Sequence, residues 1–421
     1  MRSPARSSLP RHERLSPDSP FHTASSTRVS VRHLPGSVWA LGFVSMFMDV
    51  SSELVHSLLP VFMSSVLGAS MLTIGAVEGV AEATASITKV FSGVLSDYWG
   101  KRKALVALGY GLSAATKPIF PLASTVAWVA AARFTDRIGK GIRGAPRDAL
   151  VADVTPPSLR GAAFGLRQAL DSVGAVVGPL SAIVLMALLY DNIKAVLWTA
   201  VIPAVGAVAI LLIAVREPAR AAGSPVTRTS IHFRDVRGLG REYWLVTGIG
   251  AVFTLARFSD AFLILRAQSV GLTGALIPMA LVVMNAVYTA GAYPAGVASD
   301  RFSPTTLLVS GAAILLGAQV VLATALSVGA ALTGAALWGL HMALTQGLLS
   351  KLIADAAPAK RRGTAFGVFN LIAGVSALLA SVIAGSLWNT FGPSIAFWAG
   401  AVLAACAMGS VLVYRSAARA R

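Results

Sequence analysis

Twelve long apolar stretches dominate this sequence and restrict its folding more than anything else in it. A hydrocarbon core of about 30 Å is crossed by roughly 20 residues of helix. Runs of that kind lie at 38–66, 72–94, 104–122, 125–151, 162–189 and 195–214, then at 243–265, 274–297, 304–326, 330–353, 364–387 and 394–414. Hydrophobic residues make up 55% of the chain and charged residues 13%, an apolar load that a water-soluble domain of this size has no interior to hide. The runs do not alternate polar with apolar and are too long for barrel strands. Helices are therefore predicted, because a helix satisfies its own backbone hydrogen bonds in lipid. The expected fold class is an all-α membrane protein with twelve transmembrane helices.

The net charge of +17 is explained by where it sits. Basic residues gather in the N-terminal tail (Arg2, Arg6, Arg11, Arg14, Arg28, Arg32), at Lys101, Arg102 and Lys103, in the central loop from Arg216 to Arg241, at Lys360 to Arg362, and at Arg415, Arg419 and Arg421. The turns at 67–71, 267–273, 327–330 and 389–393 carry no charge. Basic loops stay cytoplasmic, so both termini are expected in the cytoplasm, with the spans in a bacterial inner membrane. Nucleic acid is not an expected partner, because orientation already accounts for the basic residues. Residues 1–37 are polar and rich in Ser, Pro and Arg, without the apolar core of a cleavable signal; a disordered basic tail is expected. Cys406 is the single cysteine, which excludes an internal disulfide and a thiolate metal cage.

The chain repeats itself. Gly93-Val94-Leu95-Ser96-Asp97 returns 203 residues later as Gly296-Val297-Ala298-Ser299-Asp300. Leu150-Val151-Ala152-Asp153 returns as Leu352-Ile353-Ala354-Asp355, and Arg160-Gly161-Ala162-Ala163-Phe164-Gly165 as Arg362-Gly363-Thr364-Ala365-Phe366-Gly367, both at an offset of 202. A shared offset implies two related halves, 38–214 and 243–414, joined by a linker at 215–242 and followed by a short tail at 415–421. Parallel repeats of this kind place a substrate site at their interface near the midplane.

The segment from Gly93 through Asp97, Gly100, Lys101, Arg102 and Lys103 resembles the loop motif between helices 2 and 3 of the major facilitator superfamily. The resemblance covers nearly everything from residue 38 to 414. It implies the major facilitator fold and alternating access, with Asp97 and the basic residues latching a cytoplasmic gate and Gly93 and Gly100 allowing close helix approach. The second copy is reduced to Asp300 and Arg301.

Ionisable residues inside a bilayer cost at least about 2.5 kcal/mol each on insertion scales, so they are functional candidates by default. In the first span Asp49, Glu53 and His56 share a face at about 100° per residue; in the second, Glu78, Glu82 and Lys89 do the same. In the fourth, Arg133, Asp136, Arg137, Lys140, Arg143 and Arg147 form a stripe about 120° wide. The expected arrangement sets the acidic faces of the first two spans against this basic stripe around a watery cavity. Arg133 with Gly139 and Gly141 also resembles the superfamily's helix 4 motif, in which the arginine is associated with proton coupling; here Asp136 and Arg137 replace the usual glutamine and first glycine. Asp49, Glu53 and Glu82, near mid-helix, are the candidates for taking up and releasing the proton.

The fifth span carries Gly165, Gly174, Gly178 and Pro179, together with Arg167 and Asp171. This resembles the superfamily's antiporter motif, which implies close packing of helices 5 and 8 and export by proton exchange. The C-terminal half offers fewer intramembrane charges, Arg257, Asp260, Arg266, His341 and Lys351, while Trp338, Gln346, Tyr288 and Phe262 are expected as a substrate wall. The expected function is a monomeric proton-coupled antiporter exporting a small molecule, driven by the proton gradient without a cofactor. The alternative cargo is a divalent, nickel-like cation held by Asp49, Glu53 and His56, since the bacterial nickel-resistance permeases are of this superfamily; proton-coupled uptake is a third possibility. No Walker lysine motif, G-x-S-x-G or H-E-x-x-H is present, so an enzyme is not expected.

Overall fold

The computed structural model describes residues 34–99, 101–156, 159–217, 236, 239–358 and 361–419. The expected basic tail and most of the expected linker lie outside these residues, as do Gly100 and Lys360.

Twelve transmembrane helices follow one another across the membrane. In the first half they are α1 (Gly36–Val61, continued by a π turn, Phe62–Val66), α2 (Met71–Trp99), α3 (Arg102–Thr116), α4 (Val126–Asp153), α5 (Arg160–Leu188) and α6, in two pieces (Ile193–Thr199 and Val201–Ala214). In the second half they are α7, also in two pieces (Arg241–Ala256 and Ala261–Ser269), α8 (Met279–Arg301), α9 (Pro304–Thr324), α10 (Val328–Ala356), α11 (Arg362–Phe391) and α12 (Pro393–Arg419).

The ends follow local chemistry. Asn192 caps the first piece of α6 by accepting from the Ala195 N–H at 3.1 Å, and Ser303 caps α9 in front of Pro304 at its first turn. Gly392, at φ +88°, ends α11 in a conformation that side chains resist, and Pro393 opens α12. Helix α12 runs on to Arg419, so the residues expected as a tail begin as helix. Among the described residues nine helices are long and apolar enough to span a bilayer by themselves. The other three are α2 and α4, which carry the charges, and α3, whose run is interrupted at Lys117-Pro118.

Within the first half α1 packs on α5 and α6, and α4 lies between α2 and α3. The halves meet where α2 runs along α11 and α5 crosses α8. Backbones there nearly touch: a Cβ on Gly75 of α2 would sit 2.3 Å from the Ser381 carbonyl oxygen, and one on Gly385 of α11 2.6 Å from that of Met71.

On the face opposite the termini both halves share one apolar core. It joins Leu58, Phe62, Met63 and Ile74 to Phe258, Phe262, Trp338, Trp388 and Phe397. On the terminal face the cores are separate: Leu41, Val44, Met48, Val106 and Leu211 belong to the first half, and Ile249, Leu308, Ala312 and Val411 to the second. The halves thus share their apolar packing at the far face, while at the terminal face each closes around its own core.

Candidate functional site

The stripe on α4 divides by direction. Arg133 Nη2 donates to Glu78 Oε2 at 2.8 Å and lies 2.7 Å from His56 Nδ1. One turn on, Arg137 Nη1 is 3.3 Å from Glu82 Oε1. These pairs face α2, as expected. Asp136 and Arg143 lie on the other flank of the stripe and face α3. Lys117 Nζ donates to Asp136 Oδ1 and to Ser52 Oγ, both at 3.0 Å. Arg143 Nη1 donates to Ser113 Oγ at 2.5 Å, and its guanidinium lies 4.7 Å over the Tyr110 ring. At about 100° per residue Lys140 falls between the two flanks, and it is the exposed member.

Lys117, Ser52, Ser113 and Tyr110 therefore belong to the charge network although no motif marks them. The available signal for Lys117 is a lone lysine inside the apolar run at 104–122.

The carboxylates of α1 take a different direction from His56. A Cβ on Gly174 would sit 2.9 Å from Asp49 Cβ, and one on Gly178 2.8 Å from Glu53 Cβ. The two glycines of α5 thus hold its backbone against α1 at the two acidic residues, which corrects the expectation that they serve the contact with α8. That contact is made beside them, where Asn285 Nδ2 donates to the Ala175 carbonyl at 3.0 Å. A Cβ on Gly165 would meet nothing within 4 Å. Asp49 and Glu53 make no ion pair with any described residue; the fields that reach Glu53 come from Lys140, Asp49, Arg137 and, across the interface, Asp260.

Nearer the terminal face, Arg167 Nη1 donates to Asp171 Oδ2 at 2.5 Å, and Arg147 Nη1 donates to Ser45 Oγ at 2.9 Å, 4.0 Å from Asp171.

Three further expectations meet the geometry differently. Lys89 is exposed and lays its stem along Gly144, with Cγ 3.6 Å from where a Cβ would be, because α2 turns only Glu78 and Glu82 toward the arginines. Asp49, Glu53 and His56 do not converge, since His56 is held by Arg133, and among the described residues no three His, Cys, Asp or Glu side chains gather as a metal site. Trp338 and Phe262 are fully buried in the aromatic core rather than lining a cavity.

At the expected gate, Arg102 pairs with Asp153, its Nη1 donates to the Ala149 carbonyl at 3.1 Å, and its backbone N–H donates to Glu217 Oε1 at 2.7 Å. Lys103 Nζ reaches the Leu212 carbonyl at 3.1 Å. The basic turn thus ties α3 to α4 and to the end of α6. A Cβ on Gly93 would be 3.4 Å from Ala145 of α4. Lys101 and Arg301 are exposed; Gly100 and the side chains of Asp97 and Asp300 lie outside what the structure describes.

In the second half α7 is interrupted, which the continuous apolar run at 243–265 does not announce. The Ala261 N–H bonds to Ser259 Oγ and the Ser259 N–H to Ser381 Oγ, each at 3.3 Å, while Gln319 Nε2 caps the Ala256 carbonyl at 2.7 Å. Side chains thus satisfy the groups that the missing turn would have paired. The opened stretch carries Arg257 and Asp260. Arg257 borders a cavity of about 160 Å³ formed with Phe253, His341, Gln346 and Phe369. Unwound backbone at membrane depth is tolerated where it is buried in protein or faces such a space.

Comparison with known proteins agrees with this architecture. The profile of the Major Facilitator Superfamily matches residues 40–265 and 245–421. An uncharacterized MFS-type transporter of Methanocaldococcus jannaschii is 35% identical over 383 residues, covering 89% of this chain and 93% of that protein. An uncharacterized protein of Mycobacterium tuberculosis is 29% identical over 357 residues, covering 84% and 86%. Among solved structures, a bacterial homolog of the human lysosomal transporter Spinster, inward-facing and occupied, superposes with a TM-score of 0.71 at 15% identity, over 89% of this chain and 95% of that one. A transporter of the POT family superposes with a TM-score of 0.73 at 12% identity, over 92% and 98%. A superfamily profile matched across both six-helix halves leaves one conclusion: the chain belongs to the Major Facilitator Superfamily, as a multi-pass secondary transporter and not an enzyme.

Proposed function

We propose that the chain is a proton-coupled antiporter that exports a small molecule from the cytoplasm of a bacterium, working as a monomer in the inner membrane with no cofactor beyond the proton gradient. One observation carries the coupling role: Asp49 and Glu53, near the middle of α1, are carboxylates without ion-pair partners among the described residues, and Gly174 and Gly178 bring α5 close against them. The buried arginines Arg133 and Arg137 already hold Glu78 and Glu82, so those pairs act as fixed struts. The exposed Lys140 is the cation whose field reaches Glu53 most strongly, and Asp260, on the other half, is the charge near Glu53 that shifts relative to it as the halves rock.

A carboxylate loses its proton more easily beside a cation and keeps it more easily in an apolar setting. If the far face opens as the terminal face closes, Glu53 and Asp49 take up protons from one side and release them to the other, and binding of cargo selects between the two states. Export rather than uptake is read from the resemblance of α5 to the antiporter motif, the basic loops identifying the terminal face as the cytoplasmic one.

The test is cargo accumulation in everted membrane vesicles with and without an imposed pH gradient, the cargo being chosen from the resistance profile of cells that overproduce the protein. Asp49→Asn and Glu53→Gln are each expected to lower gradient-driven accumulation by about tenfold or more, with membrane insertion unchanged. Exchange at the wild-type rate in both variants, or accumulation indifferent to the gradient, would overturn the assignment.

A further inference from the structure

We infer that the cavity beside the break in α7 is a binding site for the carboxylate group of a small organic anion with an apolar or aromatic body, anchored by Arg257. This names the cargo class of the transport reading above and rests on it. Arg257, in the break of α7, and Arg266, in its second piece, are used in different ways. Arg266 is spent on structure: its Nε donates to the Leu322 carbonyl at 2.8 Å and its Nη2 to the Ala325 carbonyl at 2.8 Å. Arg257 makes no side-chain hydrogen bond and no ion pair with any described residue, yet it borders the cavity. Asp260, the acid whose field interacts with it, is not in ion-pair contact.

Of the other polar lining, Gln346 fits the same chemistry, while Thr254 and Thr345 spend their hydroxyl hydrogens on the Gly250 and His341 carbonyls. Gln346 Oε1 accepts from the Tyr288 hydroxyl at 2.8 Å, which leaves the Gln346 amide N–H groups as donors. His341 spends Nδ1 on the Gly311 carbonyl at 2.8 Å, so that nitrogen carries its hydrogen into the helix contact and not into the cavity. A guanidinium in no ion pair with a described residue and an amide donor, in a cavity with no carboxylate in its lining, match an anion with two acceptor oxygens.

The walls are apolar: Phe253 lies nearly parallel to the His341 ring, 6.1 Å between centroids, and Phe369 closes another side. A volume of about 160 Å³ is close to that of a cavity of about 150 Å³ that holds benzene, enough for one compact ring.

The experiment uses the full chain in phosphatidylcholine nanodiscs, which removes anionic lipid headgroups as occupants, and measures binding without a pH gradient. Benzoate and phenylacetate are the probes, with benzyl alcohol and benzylamine as neutral and cationic counterparts. Benzoate is expected to bind and to raise the melting temperature, whereas benzylamine is not. Arg257→Gln is expected to weaken benzoate binding about tenfold or more, and Arg257→Lys to retain part of it, since lysine keeps the charge but loses the two-pronged geometry. Gln346→Leu serves as a second variant that keeps the arginine; it is expected to weaken benzoate several-fold and leave benzyl alcohol unchanged. Preference for benzylamine, or benzoate binding at wild-type strength in both Arg257→Gln and Gln346→Leu, would overturn the inference. Because no gradient enters this measurement, its failure leaves the coupling role of Asp49 and Glu53 standing, and failure of that role leaves benzoate binding intact.

Discussion

Lys117 and Asp136 have side-chain exposures of 1% and 3%, and each is the other's direct ion-pair partner, so removing one leaves the other's buried charge without its contact. Lys117→Met strands a buried carboxylate and is expected to cost about 3–5 kcal/mol. Combining Lys117→Met with Asp136→Leu removes both charges and is expected to recover most of that loss. Thermal unfolding of the purified variants measures both effects, and a double variant no more stable than the single one would mean that the ion pair is not what Asp136 depends on. The two outer pairs of the network are legible in the amino-acid order, because Glu78 and Glu82, like Arg133 and Arg137, are one helical turn apart and so present a common face. Lys117 is not legible in the same way. It has no charged neighbour at helical spacing, and its partner depends on how α3 is rotated, which a run that is apolar on all sides does not specify. Asp49 and Glu53 share the helical spacing of the first span with His56, yet packing separates their surroundings, so the period of a helix identifies candidates without naming what they touch.

At the scale of a helix, the glycines of α5 sort themselves by what lies opposite. A side chain on Gly178 would enter the space of Glu53 Cβ, the Val50 carbonyl oxygen at 2.8 Å and the Leu54 amide nitrogen at 3.0 Å, whereas one on Gly165 meets nothing within 4 Å. Backbone cannot step aside as a flexible side chain can, so Gly178→Val is expected to destabilise by about 1–3 kcal/mol or more and to reduce transport. Gly165→Val is expected to stay within about 0.5 kcal/mol of the parent. Expression level, melting temperature and transport of the two variants side by side make the check, and equal behaviour would remove the close α1–α5 approach as a requirement. Small residues spaced for close packing are visible in the sequence, but the helix that Gly174 and Gly178 admit is α1 and not α8, and that choice is made by the whole bundle. The interruption of α7 is hidden for a related reason. Its apolar run is continuous, and the groups that stabilise the open turn are Ser259 locally and Ser381 and Gln319 from α11 and α9. Span existence is read easily because bilayer thickness imposes it; breaks and ends depend on partners far away in the chain.

Taken as a whole, the molecule has one apolar core bridging the halves at the far face and separate cores at the terminal face, the arrangement required of one end state in alternating access. The halves rock as units only if the far-face contacts part in each cycle. One such contact is specific: Gln268 Nε2, at the end of α7, donates to Ser65 Oγ, at the end of α1, at 3.3 Å. Linking these two positions holds the far face shut without entering either the charge network or the Arg257 cavity. Ser65→Cys combined with Gln268→Cys, in a Cys406→Ser background that removes the exposed native thiol, is expected to join under mild oxidation or with a short bifunctional thiol reagent. Joining is then expected to abolish transport, and reduction of the disulfide to restore it, while each single-cysteine variant keeps transporting under the same treatment. Benzoate binding is expected to survive the cross-link, because the cavity beside α7 is lined by residues of the second half alone. Undiminished turnover with the positions joined would mean that this seal does not open during transport, and the two halves would have to exchange access by some movement other than rocking about the far face.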